Sequence, residues 1–150
     1  MKVMFICTGN ICRSAMGQAL LEKRVKELNK NIEVYSSGIY AYTGDKATNH
    51  AISIMKNYNV DLENHRATYI KETDIIEMDL ILCATKNHKD IILEEYPKLQ
   101  NKVYTIKEYA EYDLKGGDID INDPYGGNLE SYKKCATEIS DCIELILKKI

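Results

Sequence analysis

The sequence predicts an α/β three-layer sandwich, a parallel sheet with helices on both faces. Three observations carry that prediction. Apolar runs of strand length alternate with amphipathic helical stretches along the chain. Val3-Met4-Phe5-Ile6 and Leu80-Ile81-Leu82-Cys83-Ala84 are apolar without alternation, as strands covered on both faces are. The final stretch, 129–150, sets Tyr132, Cys135, Ala136, Ile139, Ile143, Ile146 and Ile150 along one helical stripe.

Each element follows in order. Residues 2–6 form the first strand. A helix over 14–29 comes next, with Leu21, Val25 and Leu28 on its core face and Ser14 at its N-cap. The second strand, 32–36, closes at Ser37-Gly38. A loop over 39–45 carries Tyr40, Tyr42 and a turn at Gly44. A second helix, 46–58, places Ala47, Ala51, Ile54, Met55 and Tyr58 on one face. Asn64-His65-Arg66-Ala67 is a connector, and 71–78 reads as a short helix. The third strand is 80–84, and a helix over 86–95 stops at Pro97. The fourth strand is 102–106. The stretch from 107 to 127 is polar, with glycine pairs at Gly116-Gly117 and Gly126-Gly127; a loop of that length in a small domain is more often functional than not.

Bulk properties narrow the function. A chain of 150 residues suits one domain, 1–150. The net charge of −3, with acids and bases interspersed, favours neither a nucleic-acid nor a membrane partner. No apolar run approaches membrane-spanning length, and the N-terminus is too soon interrupted for a signal peptide. The five cysteines show no spacing typical of a disulfide framework or a zinc site, so a reduced cytoplasm is expected and no metal or cofactor is.

The chemistry concentrates in Cys7-Thr8-Gly9-Asn10-Ile11-Cys12-Arg13-Ser14. Strand, tight loop and helix N-terminus form an anion cradle, with converging backbone N–H groups and the positive end of a helix dipole. In a parallel sheet such sites lie beyond the strand C-termini, where Cys7 begins. Cys7 stands at the floor, and a helix N-terminus with an adjacent Arg favours the nucleophilic thiolate. Arg13 at the rim can hold two phosphate oxygens at once, as a lysine could not. Asn10 is expected in a left-handed conformation that keeps the amides converging.

This C-x5-R-S run, with Gly9 and Asn10 in place, resembles the low-molecular-weight protein tyrosine phosphatase family, whose loop runs C-x-G-N-x-C-R-S. The resemblance implies strand order 2-1-3-4. It also implies that the Ser14 hydroxyl bonds the thiolate, a role compatible with capping. Cys7 would attack phosphorus and form a cysteinyl-phosphate, with Arg13 and the loop amides on the equatorial oxygens. Asp123 is the candidate general acid, then base. Pro124 biases its backbone to extended conformation, and the family's D-P-Y/F places the acid there. Asp113, Asp118 and Asp120 read as solvated loop charges. Asp118-x-Asp120-x-Asn122 fails as a calcium loop, because Asp123 and Leu129 stand where the turn glycine and closing glutamate belong. The resemblance gives Tyr125 one pocket wall, and Tyr40 would form the opposite one, against the alternative that either ring is half-buried packing. Cys12 matches a second loop cysteine, a partner for oxidised Cys7 or simply a small residue backing the core. His65 would brace Asn10 or sit at the surface; His50 and His88 receive no role.

The expected function is therefore hydrolysis of phosphotyrosine in proteins, with phosphorylated proteins and inorganic phosphate as the partners. Three rivals remain. A phosphoarginine phosphatase would use the same site: Asp-Pro-Tyr-Gly-Gly and Val103 to Tyr109 resemble that subgroup. Those relatives, however, place Thr where this chain has Ile11. A thioredoxin-coupled arsenate reductase would relay through Cys83 and a further cysteine, but Lys89 stands where one is wanted, and Cys135 and Cys142 read as core. A non-enzymatic phosphopeptide-binding module would need neither Cys7 nor Asp123.

Overall fold

A computed structural model of the chain describes residues 1–150, Leu114 by its backbone alone. Four parallel strands, β1 (Lys2–Cys7), β2 (Glu33–Gly38), β3 (Leu80–Cys83) and β4 (Val103–Thr105), form one sheet in the order β2-β1-β3-β4. The sandwich is the one expected from the sequence, and the strand order is the one the family resemblance implies. Cys7 pairs with Gly38, Ile6 with Cys83, and Cys83 with Thr105, so the four C-terminal ends share one edge. The winding reverses at β1, whose neighbours are reached in opposite directions, and a crevice opens there.

The side-chain period of two splits β1 between two cores. Val3 and Phe5 join Leu80 and Leu82 under α1 (Arg13–Glu27), α2 (Asn49–Lys56) and α5 (Leu129–Leu147). Met4 and Ile6 join Ile81, Cys83 and Val103 under α3 (Lys86–Glu95), with Ile70, Ile75 and Leu99. Because both faces are covered, β1 is apolar throughout. Gly17 sets α1 close against β1: a Cβ there would stand 2.7 Å from the Phe5 ring. Along α5 the stripe from Tyr132 to Ile146 is buried as expected, and Cys142 joins it.

Several boundaries differ from expectation. The helix expected over 71–78 is instead two single 3-10 turns, Ile70–Glu72 and Ile75–Glu77. Thr73 breaks the run: its backbone is extended and its hydroxyl donates to the Ile70 carbonyl at 2.6 Å. That local bond competes with helix continuation. The segment expected to be loop from residue 107 begins with α4 (Ile106–Ala110). Thr105 and Glu108 form a reciprocal capping box there, which lets a helix of five residues stand. The chain leaves α1 after Glu27 rather than at residue 29, and Leu28 is 44% exposed instead of core. Thr48 caps α2, so that helix starts later than residue 46.

Candidate active site

The loop 8–12 joins β1 to α1. Ser14 is the second residue of α1, not its N-cap, which corrects the expectation from sequence. The cap position is Cys12, whose side chain makes no capping bond. The first-turn donors are thereby left for the crevice. The Ser14 N–H donates to Cys7 Sγ at 3.4 Å, and the Ser14 hydroxyl lies 2.9 Å from the same sulfur. Asn10 Nδ2 donates to Ser14 Oγ at 2.8 Å, leaving the hydroxyl proton for an acceptor. Of its two acceptors the sulfur is nearer; the Ser37 carbonyl is 3.4 Å away. Cys7 thus faces the helix N-terminus.

The loop is held from outside by its carbonyls. Cys7 O accepts from Ile39 N–H at 3.0 Å, Thr8 O from Tyr40 N–H at 2.9 Å, and Ile11 O from Thr48 N–H at 3.0 Å. Asn10 O lies 2.7 Å from His65 Nε2. A carbonyl only accepts, so Nε2 carries the proton. Burial, partly opposed by that bond, holds the His65 ring below its ordinary range, with Arg66 adding to the lowering. Among the described residues, the N–H groups of Gly9 to Cys12 donate to no carbonyl. With outward carbonyls pinned, these donors suit an anion.

Asn10 adopts φ 57° and is fully buried. Its amide donates to Ser14 and Ser36, and its Oδ1 accepts from Thr68 N–H at 2.9 Å. Asn10→Ala removes these bonds and leaves the left-handed backbone without the side-chain bonds that offset its strain. A loss of about 3–5 kcal/mol is expected, measured by urea unfolding; a loss below about 1 kcal/mol would refute the keystone role. Gly38 matters for space: a Cβ would sit 2.6 Å from Thr8 O and 2.9 Å from Asn10 N, so only hydrogen fits beneath the loop.

Arg13 is buried beside the loop. Its Nη1 donates to the Ile121 carbonyl at 3.0 Å, and Nη2 stands 3.4 Å from Asp123 Oδ2. Its Nε is buried without a partner among the described residues. An unpaired guanidinium N–H is expensive unless an anion arrives to take it. Asp123 comes from the segment before α5, which is stapled to the end of β3. Ile121 N–H donates to Ala84 O at 2.8 Å, and Asp120 Oδ1 accepts from Lys86 N–H at 2.8 Å. The Asp123 carboxylate is half exposed, and its Oδ1 accepts from Tyr125 N–H at 3.1 Å. Asp118 and Asp120 serve this loop's own turns and the start of α3.

Cys7, Thr8, Gly9, Ile11, Cys12, Arg13, Tyr40, Asp123 and Tyr125 line one cavity of about 330 Å³. Asn10 and Ser14 do not line it; they act from behind the loop. Tyr40 is 68% and Tyr125 66% exposed, standing at the mouth rather than packed. Burial, then Cys7 and Asp123, push the Cys12 thiol well up, so it stays protonated beside Cys7. Cys83 is fully buried in the sheet, and burial raises its thiol too. Burial likewise pushes Cys135 and Cys142 up to about 12. None of these three lines the cavity, so a thiol relay through them finds no support. Among the described residues, no group of three metal-ligating side chains gathers.

Three residues escaped the sequence. Tyr42 and Asp45 complete the rim. Their loop was visible, but nothing local said which way it folds. His88 lies behind Thr8, and no pattern joins positions eighty apart.

The family model described as "Low molecular weight phosphotyrosine protein phosphatase" matches residues 2–150. A protein-arginine-phosphatase of Geobacillus stearothermophilus is 36% identical, over 99% of this chain and 95% of its own. The low molecular weight protein-tyrosine-phosphatase PtpB of Staphylococcus epidermidis is 30% identical over 97% and 96%. A crystal structure of a low molecular weight protein tyrosine phosphatase from T. tengcongensis superposes with TM-score 0.91 at 38% identity, covering 100% of this chain and 99% of that one.

Proposed function

The chain belongs to the low molecular weight phosphotyrosine protein phosphatase family, and within it we propose that it hydrolyses phosphotyrosine in proteins through a cysteinyl-phosphate on Cys7. The observation that carries the chemistry is the Cys7 sulfur facing the α1 N-terminus in a cavity that Arg13, its Nε without a partner among the described residues, also lines. Cys7 Sγ attacks phosphorus in line as the P–O bond to the leaving group breaks. The loop N–H groups from Gly9 to Cys12 and the Arg13 guanidinium take the three equatorial oxygens. Arg13 exchanges its bond to Asp123 for one to phosphate; the released, half-exposed carboxylate takes up a proton from solvent and delivers it to the leaving oxygen. In the second step Asp123 takes a proton from water as that water attacks phosphorus; the S–P bond breaks, inorganic phosphate is released and Cys7 leaves as the thiolate. Ser14 and Asn10 hold the sulfur and the loop in place; no metal enters.

The choice of phosphotyrosine rests on Ile11, an apolar pocket residue, together with the Tyr40 and Tyr125 rings at the mouth. A second reading, phosphoarginine, is favoured by Asp45 on the same rim, a carboxylate suited to a guanidinium, and by the arginine-phosphatase relatives. Ile11→Thr separates the two. The ratio of kcat/KM on phosphoarginine to that on phosphotyrosine peptides is expected to rise by about tenfold, the scale on which a pocket contact discriminates. An unchanged ratio would remove Ile11 as the determinant.

The place we propose for this enzyme is the cytoplasm. All five cysteines are free, and no helix among the described residues is long and apolar enough to cross a membrane.

A further inference from the structure

We propose that His88 is a positioning residue of the phosphate loop, holding Thr8 from the α3 side through its Nε2. The inference rests on the reading of that loop as the substrate phosphate site. His88 lies in the first turn of α3 and is buried. Its Nε2 is 2.9 Å from Thr8 Oγ1, and its Nδ1 is 2.9 Å from Thr85 Oγ1. Thr85 is the N-cap of α3 and accepts the backbone N–H of His88 at 3.1 Å. The imidazole therefore bridges the start of α3 to the residue after the nucleophile.

Burying an imidazole is unfavourable unless both nitrogens are satisfied, and here both are. Burial, then the charge of Arg13, hold the ring down to about 4, although Asp123 and Asp120 pull the other way. At neutral pH it is uncharged, with one N–H and one bare nitrogen. Two hydroxyls, each able to donate or accept, suit such a ring in either tautomer.

The position explains what the bond does. The far side of the loop is pinned through Asn10, by His65 and by Thr68. On the near side, Thr8 is exposed and its backbone is held at the carbonyl by Tyr40. The His88 bond ties its side chain as well. The peptide planes that follow Cys7 must aim their N–H groups at phosphate oxygens, and preorganised donors of this kind lose effect when they wander.

The test uses His88→Ala, His88→Gln, His88→Asn, Thr8→Val and the double variant. Each is measured for inorganic phosphate affinity by calorimetry and for kcat/KM on an aryl phosphate. His88→Ala and Thr8→Val are each expected to weaken both quantities by about tenfold. The double variant should be no weaker than either, because both changes remove one bond. Glutamine reaches the place of Nε2 and should stay within about threefold of wild type, whereas asparagine reaches only that of Nδ1 and should match alanine. Losses that multiply in the double variant would overturn the proposal. So would glutamine no better than asparagine, or phosphate affinities unchanged throughout. If His88→Ala fails to fold, Thr8→Val and His88→Gln decide, since one deletes the bond at an exposed hydroxyl and the other retains it. A wild type that binds phosphate without turnover overturns the proposed reaction and leaves the affinity comparison standing. One that binds no phosphate overturns both.

Discussion

Cys7→Ser is expected to lower turnover of an aryl phosphate by about 10⁴-fold or more, while phosphate binds as well as before. The size follows from what a nucleophile supplies: removing one from a covalent mechanism leaves only the binding and electrostatic contributions. The persistence of binding follows from geometry. The proposed anion site consists of the N–H groups from Gly9 to Cys12 and the Arg13 guanidinium, and none of these is touched. Serine oxygen fits where sulfur accepts from Ser14, so the loop keeps its anchors at Ile39, Tyr40, Thr48 and His65. Steady-state rates on a chromogenic ester, with calorimetric titration of phosphate, read both halves. More than about one-hundredth of the wild-type rate would show that the sulfur is not the attacking atom. Loss of phosphate binding in a folded Cys7→Ser protein would show that the cradle depends on the sulfur.

The parts legible from sequence were those where one stretch of chain carries its own explanation. The run 3–14 contains a strand, a loop and a helix start in succession, so the floor of the site could be read directly. The stripe of α5 and the unbroken apolar runs of β1 and β3 repeat at their own periods. Asp-Pro-Tyr announced an oriented carboxylate before its partner was known. What stayed hidden depends on contacts between distant segments or on single bonds. The bond from His88 to Thr8 has no local trace. Ser14 looks like a cap because serine often is one; here the helix start is turned toward the Cys7 sulfur instead. The five-residue α4 lacked a full period to detect, yet its signal, Thr105 and Glu108 three apart, was present. The opposite error came at 71–78, where one threonine hydroxyl outweighed an adequate helical composition.

Asp123→Asn and Asp123→Ala separate proton transfer from pocket structure. With a phosphotyrosine peptide, whose phenolic leaving group needs its proton, kcat is expected to fall by about 10³-fold, within the range of general acid catalysis. With an activated aryl ester, whose leaving group departs as a stable anion, the first step needs no acid and the loss should be about tenfold. Asparagine keeps an oxygen to accept from Tyr125 N–H, as Asp123 Oδ1 does at 3.1 Å. It therefore preserves the loop while removing the proton, and should be as slow as alanine on the peptide. A second quantity moves the other way. Asp123 Oδ2 lies 3.4 Å from Arg13 Nη2, so phosphate must displace that carboxylate to take the guanidinium. Without the carboxylate, phosphate should bind about two- to fivefold more tightly, the scale of a partly exposed ion pair. Slower chemistry with tighter product binding cannot arise from a collapsed pocket, which would weaken both. Equal losses on the two esters would assign Asp123 a structural part, and the proton would then have to come from Asp45, the other carboxylate on the rim.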